Sequence, residues 1–150
     1  MKKSIVLPVL LLLSLTMLHA QSAGNISDII TTENATYGQA AYLAGVYQGS
    51  VNESASFTQA FDAFKQSGLI RENVNQDDKI TLKDASFLFI QATGTKGGLF
   101  YTLFKNPRYA YRELKARKIL PAYTDSDMFL SGRDAIALIN DCARLSGGEE

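Results

Sequence analysis

Ile80-Thr81-Leu82-Lys83-Asp84-Ala85-Ser86-Phe87-Leu88-Phe89 returns fifty residues later as Leu130-Ser131-Gly132-Arg133-Asp134-Ala135-Ile136-Ala137-Leu138-Ile139. Each copy places a hydroxyl, Thr81 or Ser131, three residues before an acidic side chain. That is the spacing of a capping box, which satisfies the free backbone N–H groups at a helix start. Behind the caps, Ala85, Leu88, Phe89, Ala92 and Ala135, Leu138, Ile139, Cys142 keep offsets of zero, three, four and seven. Each set is one buried stripe of an α-helix. A third copy lies forty-five residues upstream, where Thr36 and Gln39 precede Ala40, Leu43, Ala44 and Tyr47.

The fifty-residue register also runs backwards from the caps. Phe61 falls on Tyr111, Phe64 on Leu114, Lys65 on Lys115, Leu69 on Ile119 and Ile70 on Leu120. A helix therefore precedes each of the last two caps. Ser56 and Gln59 cap the first, with the stripe Phe57, Ala60, Phe61, Phe64 and Gly68 as its left-handed terminator. Asn106 caps the second, Pro107 takes its first position, the stripe is Ala110, Tyr111, Leu114, and Pro121 stops it. The unit is a helix, an irregular loop and a capped helix, which hides its apolar faces only by stacking on its neighbours. The fold class expected is all-α, a small helical domain of two full and one partial helix–loop–helix repeats. The repeats span about 35–50, 56–94 and 106–145, inside a single domain over 35–146. Between the last two, Gly94 to Gly98 read as a hinge, and Leu99, Phe100, Leu103, Phe104 as a short apolar helix docked on the repeats.

The ends and the composition bound the function. Met1-Lys2-Lys3, an apolar run from Ser4 to Leu18, then His19-Ala20 before polar sequence is the layout of a cleavable signal peptide over 1–20. The run is short for a bilayer span of about 20 residues, so cleavage after Ala20 is expected, with no transmembrane span left. Residues 21–34 read as a flexible N-terminal segment. Export to the periplasm or cell surface follows. The fifteen basic residues, less Lys2 and Lys3, stand against fifteen acidic ones, a near-neutral balance that argues against nucleic acid as a partner. The one histidine, His19, lies in the signal peptide, which removes Ser-His-Asp and Cys-His chemistry and the usual zinc sites. The one cysteine, Cys142, occupies a buried stripe and reads as an apolar filler. No catalytic residues stand out, so no enzyme is expected.

The layout resembles S-layer homology repeats, helical modules that attach bacterial surface proteins to envelope polymers. In that family a helix ends in Gly-Ile, and a motif of the Ile-Thr-Arg-x-Glu-Ala type opens the next. Gly68-Leu69-Ile70 with Ile80-Thr81-Leu82-Lys83-Asp84-Ala85 is similar, as is Lys118-Ile119-Leu120 with Leu130-Ser131-Gly132-Arg133-Asp134-Ala135. Ala35-Thr36-Tyr37-Gly38-Gln39-Ala40 matches a truncated first copy. The resemblance implies a non-enzymatic envelope protein whose partner is an envelope polymer or an envelope protein. The family's arginine after the threonine falls on Tyr37, Leu82 and Gly132, while Lys83 and Arg133 stand one place late. One position rotates a helical side chain by about 100°, so the family's sugar contact does not transfer directly.

Two further constellations carry alternatives. Asn73, Asn75, Asp77, Thr81 and Asp84 hold positions one, three, five, nine and twelve of a calcium loop of the EF-hand or dockerin kind. Asp78 replaces the glycine of its sharp turn, and Asp84 the bidentate glutamate. A calcium-stabilised interaction module is one reading, and a polar loop leading into a capped helix the other. No other cofactor is implied. Arg108, Arg112 and Lys115 share a helical face next to Tyr109. With Lys83 and Arg133, these are the candidate ligand-binding residues for an anionic glycan or an acidic protein; the alternative is a solvated helix face. A third possibility is a structural subunit of a periplasmic assembly.

Overall fold

Each expected cap opens a helix. In the computed structural model, which describes residues 23–147, α1 covers 23–31 and α2 is Tyr37–Gln48. They are followed by α3, Phe57–Gln66, α4, Leu82–Thr93, and the five-residue α5, Leu99–Leu103. Last come α6, Pro107–Ala116, and α7, Gly132–Gly147. The described residues contain no strand, only the isolated antiparallel bridges Thr36–Lys79 and Thr81–Phe129. The domain is all-α. The expected signal peptide lies outside the described residues.

Thr36 with Gln39 and Ser56 with Gln59 form reciprocal capping boxes. The acidic caps differ. The Thr81 hydroxyl accepts from Asp84 N at 3.4 Å and donates to Asp84 Oδ2 at 2.8 Å. Ser131 and Asp134 repeat this at 3.2 and 2.7 Å. The aspartate side chain binds the cap hydroxyl, whereas the longer glutamine reaches the cap amide.

At the starts of α2, α4 and α7, further free amides are satisfied from a neighbouring segment of the chain. Tyr37 N donates to Asp78 O at 3.0 Å and Gly38 N to Gln76 O at 2.9 Å. Leu82 N donates to Met128 O at 2.7 Å and Lys83 N to Ser126 O at 3.0 Å. Gly132 N closes the circle on Thr32 O at 2.9 Å. The first copy thus leans on the second, the second on the third, and the third on the segment just before the first, with Ala35 N donating to Leu130 O at 2.8 Å. A helix end buried without such partners would leave backbone donors unpaired.

Packing follows the same cycle. Helices α2, α4 and α7 touch one another, α3 lies on α2, and α6 lies on α4. Helix α1 lies against the start of α7, where a Cβ on Gly132 would stand 1.7 Å from Ile29 O. This corrects the flexible segment expected over 21–34: residues 23–31 are helical, and Ile29 is fully buried. Its apolar pattern is too short to stand out as an amphipathic helix. Helix α2 is covered from three sides, so Tyr37 to Gly45 are all buried, whereas Tyr47, expected in the stripe, lies beyond that packing and is exposed. The other stripes form the core, with Phe89, Leu88, Leu114 and Cys142 almost fully enclosed. Each large apolar side chain buried this way contributes about 1.5–3 kcal/mol.

The equivalence of the second and third copies extends to the loops. Lys65 Nζ donates to Val74 O at 3.1 Å, and Lys115 Nζ to Thr124 O at 2.8 Å. Each ammonium also sits 5.4 Å from the ring beneath it, Phe61 or Tyr111. The left-handed turn at Gly68, φ 76°, recurs at Lys118, φ 60°. Helix α5 departs from expectation. Only Tyr101 is buried, while Leu99, Phe100, Leu103 and Phe104 are 51–70% exposed.

Candidate functional site

Stacking copies around a ring leaves grooves between them, and two are equivalent by position. One, of ≈ 230 Å³, lies between the second and third copies and is lined by Leu82, Ile119, Leu120, Pro121, Asp134 and Leu138, among others. The other, of ≈ 240 Å³, lies between the first and second and carries Tyr37, Leu69, Ile70, Arg71, Asp84 and Leu88 at the matching places. The register that relates the caps therefore also relates the groove walls. Two positions differ in kind: Tyr37 and Arg71 of the polar groove stand where the other groove has Leu82 and Pro121, so Asp84 faces a cation in its groove and Asp134 does not.

In the polar groove the Tyr37 hydroxyl donates to Asp84 Oδ2 at 2.6 Å. Arg71 Nη2 lies 3.3 Å from the same oxygen and 3.5 Å from the Tyr37 hydroxyl. With Thr81 at 2.8 Å, one carboxylate oxygen takes three donors. The residue is buried, at 7% exposure, so those donors offset the desolvation of its charge. Burial, then the hydrogen bond and charge of Asp84, pushes the Tyr37 hydroxyl up to about 12. The Tyr37 hydrogen bond and the Asp84 charge raise Arg71 further. Tyr37 therefore stays a donor, and Arg71 a cation, throughout the physiological range. Arg71 remains open at the lip, its side chain 64% exposed. Lys105 and Asn106 border the same groove.

The six candidate ligand residues do not converge. Lys115 turns inward to Thr124 O and the Tyr111 hydroxyl, at 2.8 and 3.0 Å, and that hydroxyl itself donates to Thr124 O at 2.6 Å. Lys83 is tied to Asp127 of the third copy. That hydrogen bond holds the Asp127 carboxyl below its usual range. Arg133 is exposed at the start of α7 and Arg108 at the start of α6. Arg112 and Tyr109 do come together, the guanidinium carbon 5.9 Å from the ring centroid. Tyr109 in turn stacks under Phe104 at 5.3 Å and Phe100 at 6.4 Å.

The calcium-loop reading is corrected. Asn73, Asn75 and Asp77 are exposed, but Thr81 and Asp84 bond each other in the cap, and Asp84 faces Tyr37 on α2. The loop instead closes on itself, Asn75 N donating to Asp78 Oδ2 at 2.8 Å. Among the described residues, no three His, Cys, Asp or Glu side chains group to share a metal ion.

Sequence reasoning missed Arg71 and Tyr37 as a pair. The signal was present in the fifty-residue register, where a basic residue stands against Pro121, but the pairing partner comes from the first copy at another spacing. Among the described residues no helix is long and apolar enough to cross a membrane. Comparison with protein-family models, curated proteins and solved structures yields no match for this chain.

Proposed function

We propose that the chain is a non-enzymatic, exported protein of the bacterial cell envelope, and that it holds an anionic envelope polymer in the groove between its first and second copies. One observation carries this reading. Of two grooves equivalent by the repeat, only the first is rebuilt with an open cation, Arg71, braced on a buried carboxylate and bordered by Lys105. Arg71 spends Nη2 on Asp84, leaving donors on Nε and Nη1 for carboxylate or phosphate groups of a ligand. Fixing the guanidinium beforehand lowers the ordering cost of binding. The resemblance to S-layer homology repeats supports the same class of partner. The single buried carboxylate of the groove is engaged as cap partner and brace, which fits a binding role better than acid–base chemistry.

Sedimentation of the chain with purified sacculi tests this. The Arg71→Gln, Lys105→Gln variant should keep its far-ultraviolet spectrum and bind at least tenfold more weakly. Binding by the parent should fall as salt rises from low to physiological strength, where the screening length is about 8 Å. Full binding by the variant would remove the groove from the function.

A further inference from the structure

A different surface, which shares only Lys105 with the groove, has the makings of a lipid contact. From Gly94 to Arg112 the chain contains Lys96, Lys105, Arg108 and Arg112 and not one Asp or Glu, although the protein as a whole is balanced, fifteen basic against fifteen acidic. The first acidic residue beyond, Glu113, is partly buried and paired with Arg117 at 2.8 Å. In the middle of this basic stretch stands α5. Gly97 and Gly98 lead into it, and the Thr102 hydroxyl ties it back to both glycine carbonyls at 3.2 and 3.1 Å. Tyr101 is the one buried side chain of α5, accepting from Gln91 Nε2 at 2.6 Å.

That anchoring turns the other side chains out. Leu99, Phe100, Leu103 and Phe104 are 70, 65, 64 and 51% exposed. They form an exposed apolar ridge whose base is the Phe100–Tyr109–Phe104 stack on α6. The basic groups collar it. Lys96 and Lys105 flank Tyr101 on one side, and Arg112 borders Phe100 and Tyr109 on the other. A protruding cluster of Phe and Leu ringed by Lys and Arg matches the two layers of a membrane surface, acyl chains below and anionic phosphate above. Glu113 lies at the base of the cluster, partly buried and paired, so the exposed charges from Gly94 to Arg112 are all basic, for which a protein groove would give no reason.

We propose that α5 docks the protein on a bilayer containing anionic phospholipid, with Leu99, Phe100, Leu103 and Phe104 entering the interface and Lys96, Lys105, Arg108 and Arg112 meeting the phosphates. The attachment is peripheral and reversible, and it sets the Gly94–Arg112 face of the domain against the membrane.

Flotation with vesicles tests it, using the chain as isolated from expressing cells. The vesicles are phosphatidylcholine alone, or phosphatidylcholine with one third phosphatidylglycerol. The parent should float with the anionic vesicles at least tenfold better than with the neutral ones. Phe100→Ser, Phe104→Ser should cut binding to anionic vesicles at least tenfold without loss of helical signal. Lys96→Gln, Arg112→Gln should erase the preference for phosphatidylglycerol. Parent and variants share the same N-terminus, so any lipid affinity of residues 1–20 cancels in the comparison. Failure of the parent to float, or equal flotation of the Phe100, Phe104 variant, would overturn the proposal. So would self-association through the ridge, seen as a dimer in sedimentation velocity that the serine variant abolishes and vesicles do not compete for. Sedimentation with lipid-free sacculi is indifferent to these variants, which keeps this outcome separate from that of the groove.

Discussion

Tyr37→Phe removes one oxygen from the centre of the polar groove and leaves the ring in place, so no cavity opens. The lost bond is the shortest of the three on Asp84 Oδ2, at 2.6 Å, and leaves Thr81 at 2.8 Å and Arg71 at 3.3 Å. A hydrogen bond to a charged group is worth about 1.5–3 kcal/mol. Arg71 reaches Asp84 from the solvent side and partly makes up the loss, so a cost of about 2 kcal/mol is expected. For a domain of this size that lowers the melting temperature by roughly 8 °C. Urea denaturation followed by circular dichroism reads the difference, and the same substitution in an Asp84→Ala background should cost less than about 0.5 kcal/mol. The pH dependence has a definite sign. The Tyr37 hydroxyl is raised from 10.0 to about 12, so between those values the unfolded chain loses this proton and the folded chain keeps it. The contribution is fully present below pH 10 and is lost as pH rises through 12. The parent should therefore lose stability across that window more steeply than Tyr37→Phe. A Tyr37→Phe cost near zero in the parent, or one undiminished without Asp84, would refute the coupling.

Two other substitutions and one labelling experiment probe the frame around the groove. Lys118→Gly should stabilise the domain by up to about 1 kcal/mol in urea titrations, because φ of 60° strains a side chain that glycine lacks; a destabilised variant would mean that the lysine side chain outweighs the strain. Gly132→Ala should cost about 3 kcal/mol or more, since its Cβ would meet Ile29 O at 1.7 Å, and near-parent stability would show that α1 does not pack there. Cys142, fully buried, with burial pushing its thiol up to about 12, should resist thiol reagents in the native state and label promptly in urea. Rapid native labelling would contradict the placement of the α7 stripe.

The caps and stripes were legible because they are local: a hydroxyl, an acceptor three residues on and a helical apolar period suffice to place α2, α3, α4, α6 and α7. The packing order was less legible. Helices α3 and α6 precede their loops in sequence yet lie on α2 and α4, a choice made by the ring of backbone bonds from Tyr37, Leu82 and Gly132, to which any residue type contributes. Helix α1 escaped notice because only Ile29, with Ile26 partly buried beside it, meets the core, and its fit depends on the missing side chain of Gly132 far along the chain. Charge alone misassigned Lys115 and Lys83, since a lysine that satisfies a loop carbonyl or a neighbouring aspartate looks the same in sequence as one awaiting a ligand. The Tyr37–Asp84–Arg71 cluster joins residues forty-seven and thirteen positions apart, and only the closure of the ring brings them together.

The most direct test of the proposed function is a map of amide shifts in nuclear magnetic resonance spectra as a soluble anionic fragment of the envelope polymer is added. The groove account predicts perturbations concentrated at Tyr37, Leu69 to Arg71, Asp84 and Lys105, saturable and weakened by salt. Shifts gathered instead around Pro121 and Asp134 in the groove between the second and third copies, or no saturable shifts at any residue, would contradict it.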